Sequence, residues 1–292
     1  MLIVLPQLIV GGIATGMLYA LIALSMTVVY RATTIVNFGH GDLVMAGAYA
    51  IFVFTAGLAL PFLPALLLAA GLLFLLGFGL HRLLMQPIMS GPHLSLAMMA
   101  LAAGNVLRGA ARLEWGNETL ALARPYAQTS FLLGQTVFTM DDIVTTGAVL
   151  LLLLALFCVL HLTPAGKIIQ AVFQSQRGAA LVGINVNAFH GVMWGTGAAL
   201  GAIGGALLAL TVTLSPDIGV WTLLRAFAAM TLGGFGSLGG AVIGGILLGV
   251  MEKLLGFYVS TAFIDITAYV VTILVLLVRP QGLFGRPAAR RI

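Results

Sequence analysis

The chain has 292 residues, of which 61% are hydrophobic and 7% are charged. Soluble domains carry about 25% charged residues, so this composition excludes a soluble protein and indicates an integral membrane protein. Thirteen Lys and Arg against eight Asp and Glu give a net charge of +5. These charges are scattered at the ends of apolar runs, and they therefore predict membrane orientation instead of nucleic-acid binding.

Eight apolar segments follow one another along the chain, and two of them contain a break. A regular membrane-spanning helix needs about 20 consecutive apolar residues. We therefore predict an all-α integral membrane protein with about eight transmembrane segments in a single domain, 1–292, and a polar outer connection between the fourth and fifth segments. The segments cover 8–30, 37–55, 58–80, 94–113, 145–162, 191–214, 224–250 and 262–278.

The second segment begins with the polar string Asn-Phe-Gly-His-Gly-Asp, which predicts a broken helix at membrane depth. An ionisable residue inside a bilayer costs about 2.5 to 3.5 kcal/mol, so its default interpretation is functional. Two roles are open for His40 and Asp42. They contact the solute, or they brace the break, with Asp42 capping the helix and His40 donating to a freed carbonyl. Asn37 is equally an N-cap or a ligand.

The seventh segment has TLGGFGSLGG at its middle, which predicts a second break. One full span here would leave the basic C-terminal tail on the outer side, against the distribution of positive charge. We therefore predict a re-entrant pair of half-helices that meet at 233–240, entered from the outer side. A spanning helix with a glycine packing face is the alternative. Arg225, near its start, is interpreted as snorkelling toward the outer headgroups.

Two broken segments predict a translocation pathway, because irregular backbone at membrane depth is tolerated where it is shielded by protein or lines a water-filled path. Half-helix ends present unpaired backbone N–H and C=O groups to a polar solute. The predicted pathway residues are Asn37, His40, Asp42, Gly233, Gly234, Gly236 and Gly239.

A polar segment, 164–190, separates the fifth and sixth apolar runs. Apolar residues recur in it at three- and four-residue spacing, which predicts two short helices along the membrane face. Such helices rest on lipid headgroups or dock onto another protein, and a plain connecting loop is the third reading. We expect this segment on the cytoplasmic side, together with the other basic loops. The basic residues concerned are Arg82, Lys167, Arg177, Arg279, Arg286, Arg290 and Arg291.

Three stretches then carry a family resemblance in the same order over nearly the whole chain. They are YRATTIVNFGHGDLVMAGAY, GKIIQAVFQSQRGAALVGINV, and TLGGFGSLGGAVIGGILLGVME followed by LVLLVRPQGLFGRP. Together they resemble the permease subunits of the branched-chain amino acid type of ABC importer. The family pattern usually reads Asn-Phe-Ala-His-Gly-Glu, whereas this chain has Gly39 and Asp42 at the two differing positions.

The resemblance implies the ABC importer permease fold in a bacterial inner (plasma) membrane. It implies three kinds of protein partner: a related permease or a second copy of this chain, two cytoplasmic ATP-binding subunits, and an external solute-binding protein. ATP and Mg would be held by the partner ATPases, and this chain, surrounded by lipid, would bind no cofactor, metal or nucleic acid. The sequence contains no G-x-x-x-x-G-K-[ST] phosphate-binding motif, so the chain is not expected to be an enzyme.

The polar segment also resembles a compact form of the coupling motif that permeases place in a groove of the ATPase. On that resemblance, small residues allow close docking, Gly183 lets the chain turn, Ile184 fills an apolar pocket and Arg177 pairs with an acidic residue of the ATPase. The implied coupling residues are Arg177, Ala179, Ala180, Gly183 and Ile184.

The predicted function is import of a small polar solute, driven by ATP hydrolysis on partner subunits. The solute class stays open between branched-chain or other amino acids and related amides, urea or carboxylates. A passive channel and a secondary transporter are the alternatives. The string Gly-His-Gly-Asp also fits intramembrane aspartyl proteases, but that chemistry needs a second aspartate facing Asp42, and Asp217 and Asp265 fall near the outer ends of segments.

Overall fold

The computed structural model describes residues 4–89, 91–126, 128–133 and 136–285. Two strands, β1 (Ser130–Leu133) and β2 (Thr136–Thr139), form an antiparallel pair that the sequence did not predict. The arginines Arg286, Arg290 and Arg291 lie outside the described residues. The helices are α1 (Leu5–Thr33), α2 (His40–Phe52), α3 (Phe62–Leu80), α4 (His93–Trp115), α5 (Met140–Leu162), α6 (Pro164–Gln174), α7 (Gln176–Leu181), α8 (Val186–Thr211), α9 (Ile218–Gly233), α10 (Leu238–Tyr258) and α11 (Ala262–Val278).

Within the described residues, six helical stretches are long and apolar enough to cross a membrane: α1, α3 with its following turns, α4, α5, α8 and α10. Helices α9 and α11 are apolar but shorter. This agrees with the predicted helical membrane protein of about eight segments. The predicted polar segment contains the two short helices α6 and α7, as expected.

Burial separates central helices from peripheral ones. In the most apolar window of α8, 72% of residues are buried, whereas in α5 only 11% are. A helix that is apolar on every face and exposed in the folded chain is suited to contact lipid. Helix α8 is therefore a core element, and α5 presents its side chains outward.

The chain forms two compact units. The first unit contains α1 as far as Thr27, Tyr126–Thr146 and the chain from Val220 onward. The second unit contains Val28–Pro125 and Gly147–Gly219.

In the second unit, α2, α3 and α8 pack together through small residues. A Cβ placed on Gly77 of α3 would lie 2.6 Å from the Cβ of Ala198 on α8, and one on Gly47 of α2 would lie 2.5 Å from the Cβ of Ala202. Only glycine permits an approach this close. Leu43 and Leu73 complete the buried core at this junction.

In the first unit, α1 and α10 meet backbone to backbone. A Cβ on Gly12 would lie 2.7 Å from the Cα of Val250, and a Cβ on Gly16 would lie 2.7 Å from the Cα of Ile246. On α10, Gly249 faces Gly12 and Gly16, and Gly245 faces Ala20, so both helices contribute glycines spaced four residues apart. This is the small-residue packing that lets membrane helices associate without large side chains.

The second predicted break is present between α9 and α10. The flanking helices are longer than predicted, because they extend beyond both ends of the 224–250 window. With 21 residues, α10 measures about 31 Å, which is enough to cross the hydrocarbon layer. The prediction of two half-helices is therefore wrong for α10, which is a full-length helix.

Candidate functional site

The junction between α1 and α2 is the first candidate site. Residues 34–39 are not helical, and Thr34 has a φ of 58°, a strained conformation for a β-branched residue. The Asn37 side-chain oxygen accepts a hydrogen bond from the Gly39 backbone N–H at 3.0 Å, which shapes a turn before the helix. The N-cap of α2 is Gly39, so the prediction of Asn37 as N-cap was wrong by two residues.

Asp42 lies in the first turn of α2, and its carboxylate forms an ion pair instead of a cap. Arg108 of α4 donates a hydrogen bond from Nε to Asp42 Oδ1 at 2.8 Å, and its Nη2 lies at ion-pair distance, 2.7 Å, from the same oxygen. The Asp42 side chain is 2% exposed. Its second oxygen contacts Gly104, where a Cβ would collide with it. The predicted side-chain cap is therefore replaced by a buried partner on another helix.

Arg108 was not among the predicted site residues, although a general rule could have pointed to it. Ionisable residues buried in a membrane segment pair with one another, so Asp42 required a cation. Arg108 lies in the C-terminal half of α4, four residues before Arg112, and no local pattern distinguished it as the partner of Asp42.

His40, the first residue of α2, is fully buried and packs against α8. Its Nε2 would lie 3.2 Å from a Cβ added to Gly201 of α8, so the absence of a side chain there makes room for the ring. Asn37, His40 and Asp42 are each no more than 5% exposed, and one turn of chain brings them together.

The second candidate site is the turn between α9 and α10. Gly234 and Gly236 adopt φ values of 106° and 78°, which residues with a Cβ rarely adopt. A Cβ on Gly233 would collide with the carbonyl of Gly240. Ser237 caps α10 by accepting from the Gly240 N–H at 3.0 Å. Gly239 has open space around it, so no packing contact within the described residues explains that glycine.

A second buried charge cluster lies in the first unit. Glu252 of α10 is 3% exposed and accepts from the Tyr19 hydroxyl at 2.9 Å and from Arg225 Nε at 3.2 Å. Arg225 Nη2 also binds Asp265 Oδ1 at 3.0 Å. The interpretation of Arg225 as a snorkelling side chain was wrong, because its guanidinium turns toward carboxylates within its own unit.

The polar segment, 164–190, begins with two short helices whose N-termini are capped by side chains. Thr163 caps α6 by accepting from the Gly166 N–H at 3.1 Å, and Ser175 caps α7 by accepting from the Gly178 N–H at 3.0 Å. The Arg31 guanidinium lies 4.6 Å from the Phe173 ring centroid, so α6 is held against the end of α1.

Helix α7 ends in a Schellman motif. The Ile184 N–H donates to the Ala179 carbonyl at 3.0 Å, and the Gly183 N–H donates to the Ala180 carbonyl at 3.1 Å. Gly183 has a φ of 88°, as this motif requires. The expectation that Gly183 turns the chain is confirmed.

Exposure divides the residues of this segment into two groups. Ala179 is buried, and Ile184 is partly buried. Arg177 and Ala180 are exposed. The most exposed apolar side chains are Leu181 at 89% and Val182 at 76%, and neither was among the predicted coupling residues. The spacing of apolar residues along the sequence could not show which of them remain exposed where the C-terminal motif ends α7.

The described residues contain no group of three or more His, Cys, Asp or Glu side chains arranged to hold a metal ion. Asp42 binds Arg108, and Asp217 binds Arg112 at 2.7 Å. An aspartyl protease needs two carboxylates that share a proton, and here each carboxylate is paired with an arginine.

Interrupted helices, buried ion pairs and small-residue packing define a multi-pass helical membrane protein of the transporter type. The chain matches the family model described as "Branched-chain amino acid transport system / permease component" over residues 8–278. The chain belongs to this family, and it is therefore a permease subunit of an ABC transporter.

Named relatives cover nearly the whole chain. It is 32% identical to the "High-affinity branched-chain amino acid transport system permease protein LivH" of Salmonella typhimurium, over 98% of this chain and 97% of that protein. It is 30% identical to the BraD permease protein of Pseudomonas aeruginosa, with the same coverage. Among solved structures, PsaBC from Streptococcus pneumoniae in complex with Fab is similar in fold, with a TM-score of 0.50, 15% identity, and coverage of 93% of this chain and 91% of that one.

Proposed function

We propose that this chain is the membrane subunit of an importer that moves a small polar solute into the cytoplasm, driven by ATP hydrolysis on partner subunits. One observation carries the proposal. The end of α7 exposes Leu181 and Val182, whereas Ala179 on the same helix is buried. An apolar tip on a rigidly capped helix is suited to a groove on a partner protein.

The proposed ATPase contact includes the exposed Arg177 and Ala180 together with Leu181 and Val182. Gly183 and Ile184 terminate α7, and Ala179 joins it to its own unit. Force applied to the tip by a closing ATPase would thus reach α8, which begins at Val186, shortly after α7 ends at Leu181. Alternating access follows when that motion opens or shuts the pathway.

The proposed solute pathway involves the predicted residues at both breaks. The burial of Asp42 and its contact with Arg108 support a bracing role for the carboxylate. Asn37 braces the same turn through Gly39, and the fully buried His40 packs against α8. Gly233, Gly234 and Gly236 form the second turn, and Gly239 is placed beside it.

The relatives are named for branched-chain amino acids, which makes these solutes the first choice for this chain. Other amino acids, amides, urea and small carboxylates are the further candidates. The proposed assembly contains a related permease or a second copy of the chain, two cytoplasmic ATPases that hold ATP and Mg, and an external binding protein. Its proposed location is the bacterial inner membrane.

The test compares two leucines of nearly equal exposure in the second unit. Leu181 is 89% exposed at the α7 tip, and Leu113 is 91% exposed at the end of α4. Each is replaced by Glu, and the chain is co-purified with its proposed partner ATPases. We expect Leu181→Glu to abolish ATPase retention and coupled uptake of radiolabelled leucine in proteoliposomes, while Leu113→Glu retains the ATPase.

Equal ATPase retention by both variants would show that α7 is not the docking element. Solute uptake that persists without any ATPase would instead identify the passive channel or the secondary transporter. A binding-protein screen with the other solute classes separates a wrong substrate from a wrong mechanism.

A further inference from the structure

A polar cavity of about 570 Å³ lies in the second unit, between the end of α3 and the start of α8. Five polar residues line it: His81, Arg82, Gln86, Asn185 and Asn187. None of the lining residues is acidic, and Arg82 has no carboxylate within ion-pair distance among the residues that the structure describes. The cavity is therefore rich in hydrogen-bond donors and has a positive charge that no acidic side chain balances.

The start of α8 adds further donors. The Asn185 side-chain oxygen accepts from the Ala188 N–H at 3.0 Å, which leaves the side-chain NH₂ group available to a ligand. The first turn of a helix carries unpaired N–H groups and a partial positive charge, and α8 is a long helix of 26 residues. These features favour an anion.

His81 supplies independent support for a ligand. The residue is 1% exposed and lines the cavity, yet its Nε2 has no hydrogen-bond partner among the described residues. Buried polar atoms in native proteins are nearly always paired, so an unpaired one calls for a missing partner. A ring N–H can donate to a phosphate oxygen.

We propose that this cavity binds the phosphate group of an anionic ligand, with Arg82 as the charged contact. Arginine matches phosphate geometry through two parallel N–H donors, and the Asn185, Asn187 and His81 side chains supply neutral ones. The basic distribution of the chain puts Arg82 at the cytoplasmic face, where anionic phospholipid headgroups and soluble phosphate compounds are both available. The site is separate from the proposed pathway and from the α7 tip.

The test measures ligand retention by the full-length chain in detergent. The probes are phosphatidylglycerol, phosphatidylethanolamine and inorganic phosphate, detected by native mass spectrometry and by the shift in melting temperature. Arg82→Gln removes the proposed contact, and Asn187→Ala removes a neutral donor. Arg279→Gln is the matched control, because it removes the same charge from an exposed arginine outside the cavity.

We expect Arg82→Gln to lower retention of one phosphatidylglycerol about fivefold, with Arg279→Gln unchanged. Phosphatidylglycerol that resists displacement by inorganic phosphate identifies a lipid headgroup, whereas Arg82-dependent stabilisation by inorganic phosphate alone identifies a soluble ligand. If Arg82→Gln fails to fold, Asn187→Ala decides in the same assay. The proposal is overturned if Arg82→Gln and Arg279→Gln reduce retention equally. It is also overturned if the two lipids are retained equally and inorganic phosphate gives no Arg82-dependent stabilisation.

Discussion

Asp42 in the second unit and Glu252 in the first unit are both buried carboxylates on apolar helices, but their partners differ. Asp42 receives one hydrogen bond and one further ion-pair contact from a single side chain, Arg108. Glu252 receives one from Arg225 and one from Tyr19, and Arg225 has a further carboxylate partner. The Asp42 site therefore depends on one residue, whereas the Glu252 site divides its stabilisation among three helices.

This difference predicts how much stability each unit loses when the arginine beside its buried carboxylate is removed. Breaking a buried ion pair leaves an uncompensated charge, and the penalty depends on what other donors remain. At Asp42 the arginine is the sole cation seen within 4.0 Å in the described chain, so its removal should be most damaging. At Glu252 the tyrosine hydroxyl still binds the carboxylate after the arginine is lost.

The largest expected effect follows from Arg108→Leu. We expect a loss of about 3 to 5 kcal/mol in the free energy of unfolding, because Asp42 stays buried without its cation. Thermal unfolding of the detergent-purified chain measures it. Arg112→Leu is the matched control one turn further along α4, because its ion pair with Asp217 is about half exposed and should contribute about 1 kcal/mol or less.

The double variant Asp42→Leu with Arg108→Leu sharpens this test. Replacing both partners of a buried pair by apolar residues is often neutral, so the double variant should recover most of the lost stability. Recovery of stability without recovery of solute uptake would show that the pair also acts in transport. A double variant as unstable as Arg108→Leu would show that the loss comes from the missing contact between α2 and α4 and not from an uncompensated charge on Asp42.

A smaller effect is expected from Arg225→Leu, about 2 kcal/mol, because the Tyr19 hydroxyl continues to bind Glu252. The same melting assay measures it, with Lys253→Leu as the control for loss of an exposed positive charge on α10. If Arg225→Leu proves as damaging as Arg108→Leu, the proposed difference between the two sites is wrong.

The smallest effect is expected from Tyr19→Phe. This change deletes one hydroxyl and keeps the ring, so the loss should be about 1 kcal/mol for one hydrogen bond. Combined with Arg225→Leu, it should cost more than the sum of the single changes, because Glu252 then loses both donors. Strict additivity in this double-mutant cycle would mean that the two donors act independently.

Local chemistry made several elements predictable from the sequence. The apolar runs predicted the transmembrane segments, and Gly234 and Gly236 belong to the glycine-rich stretch that predicted the second break. Gly183, which was expected to let the chain turn, stands where α7 ends. Each of these sequence features determines the structure of residues close to it in the chain, so it can be recognised from the sequence alone.

The contacts that connect distant parts of the chain could not be predicted in this way. Arg108 reaches Asp42 across 66 positions, and Tyr19 reaches Glu252 across 233. Such pairs depend on which helices become neighbours, which hydrophobic periodicity alone does not specify. The β1–β2 pair was not predicted because it lies in the connection between α4 and α5, which was interpreted as polar, and because strands of four residues show only a weak hydrophobic pattern. The exposed tip at Leu181 emerged only after the cap of α7 was known.

The contact between the end of α9 and the last described residues has a consequence for biosynthesis. Leu283 and Phe284 donate their backbone N–H groups to the carbonyls of Leu232 and Gly233. Carbonyls at a helix C-terminus lack partners within the helix, and in the described residues these two accept from residues about fifty positions further along the chain. These two hydrogen bonds can therefore form only after α10 and α11 have been synthesised, and a chain that stops at Arg279 would lack both of them.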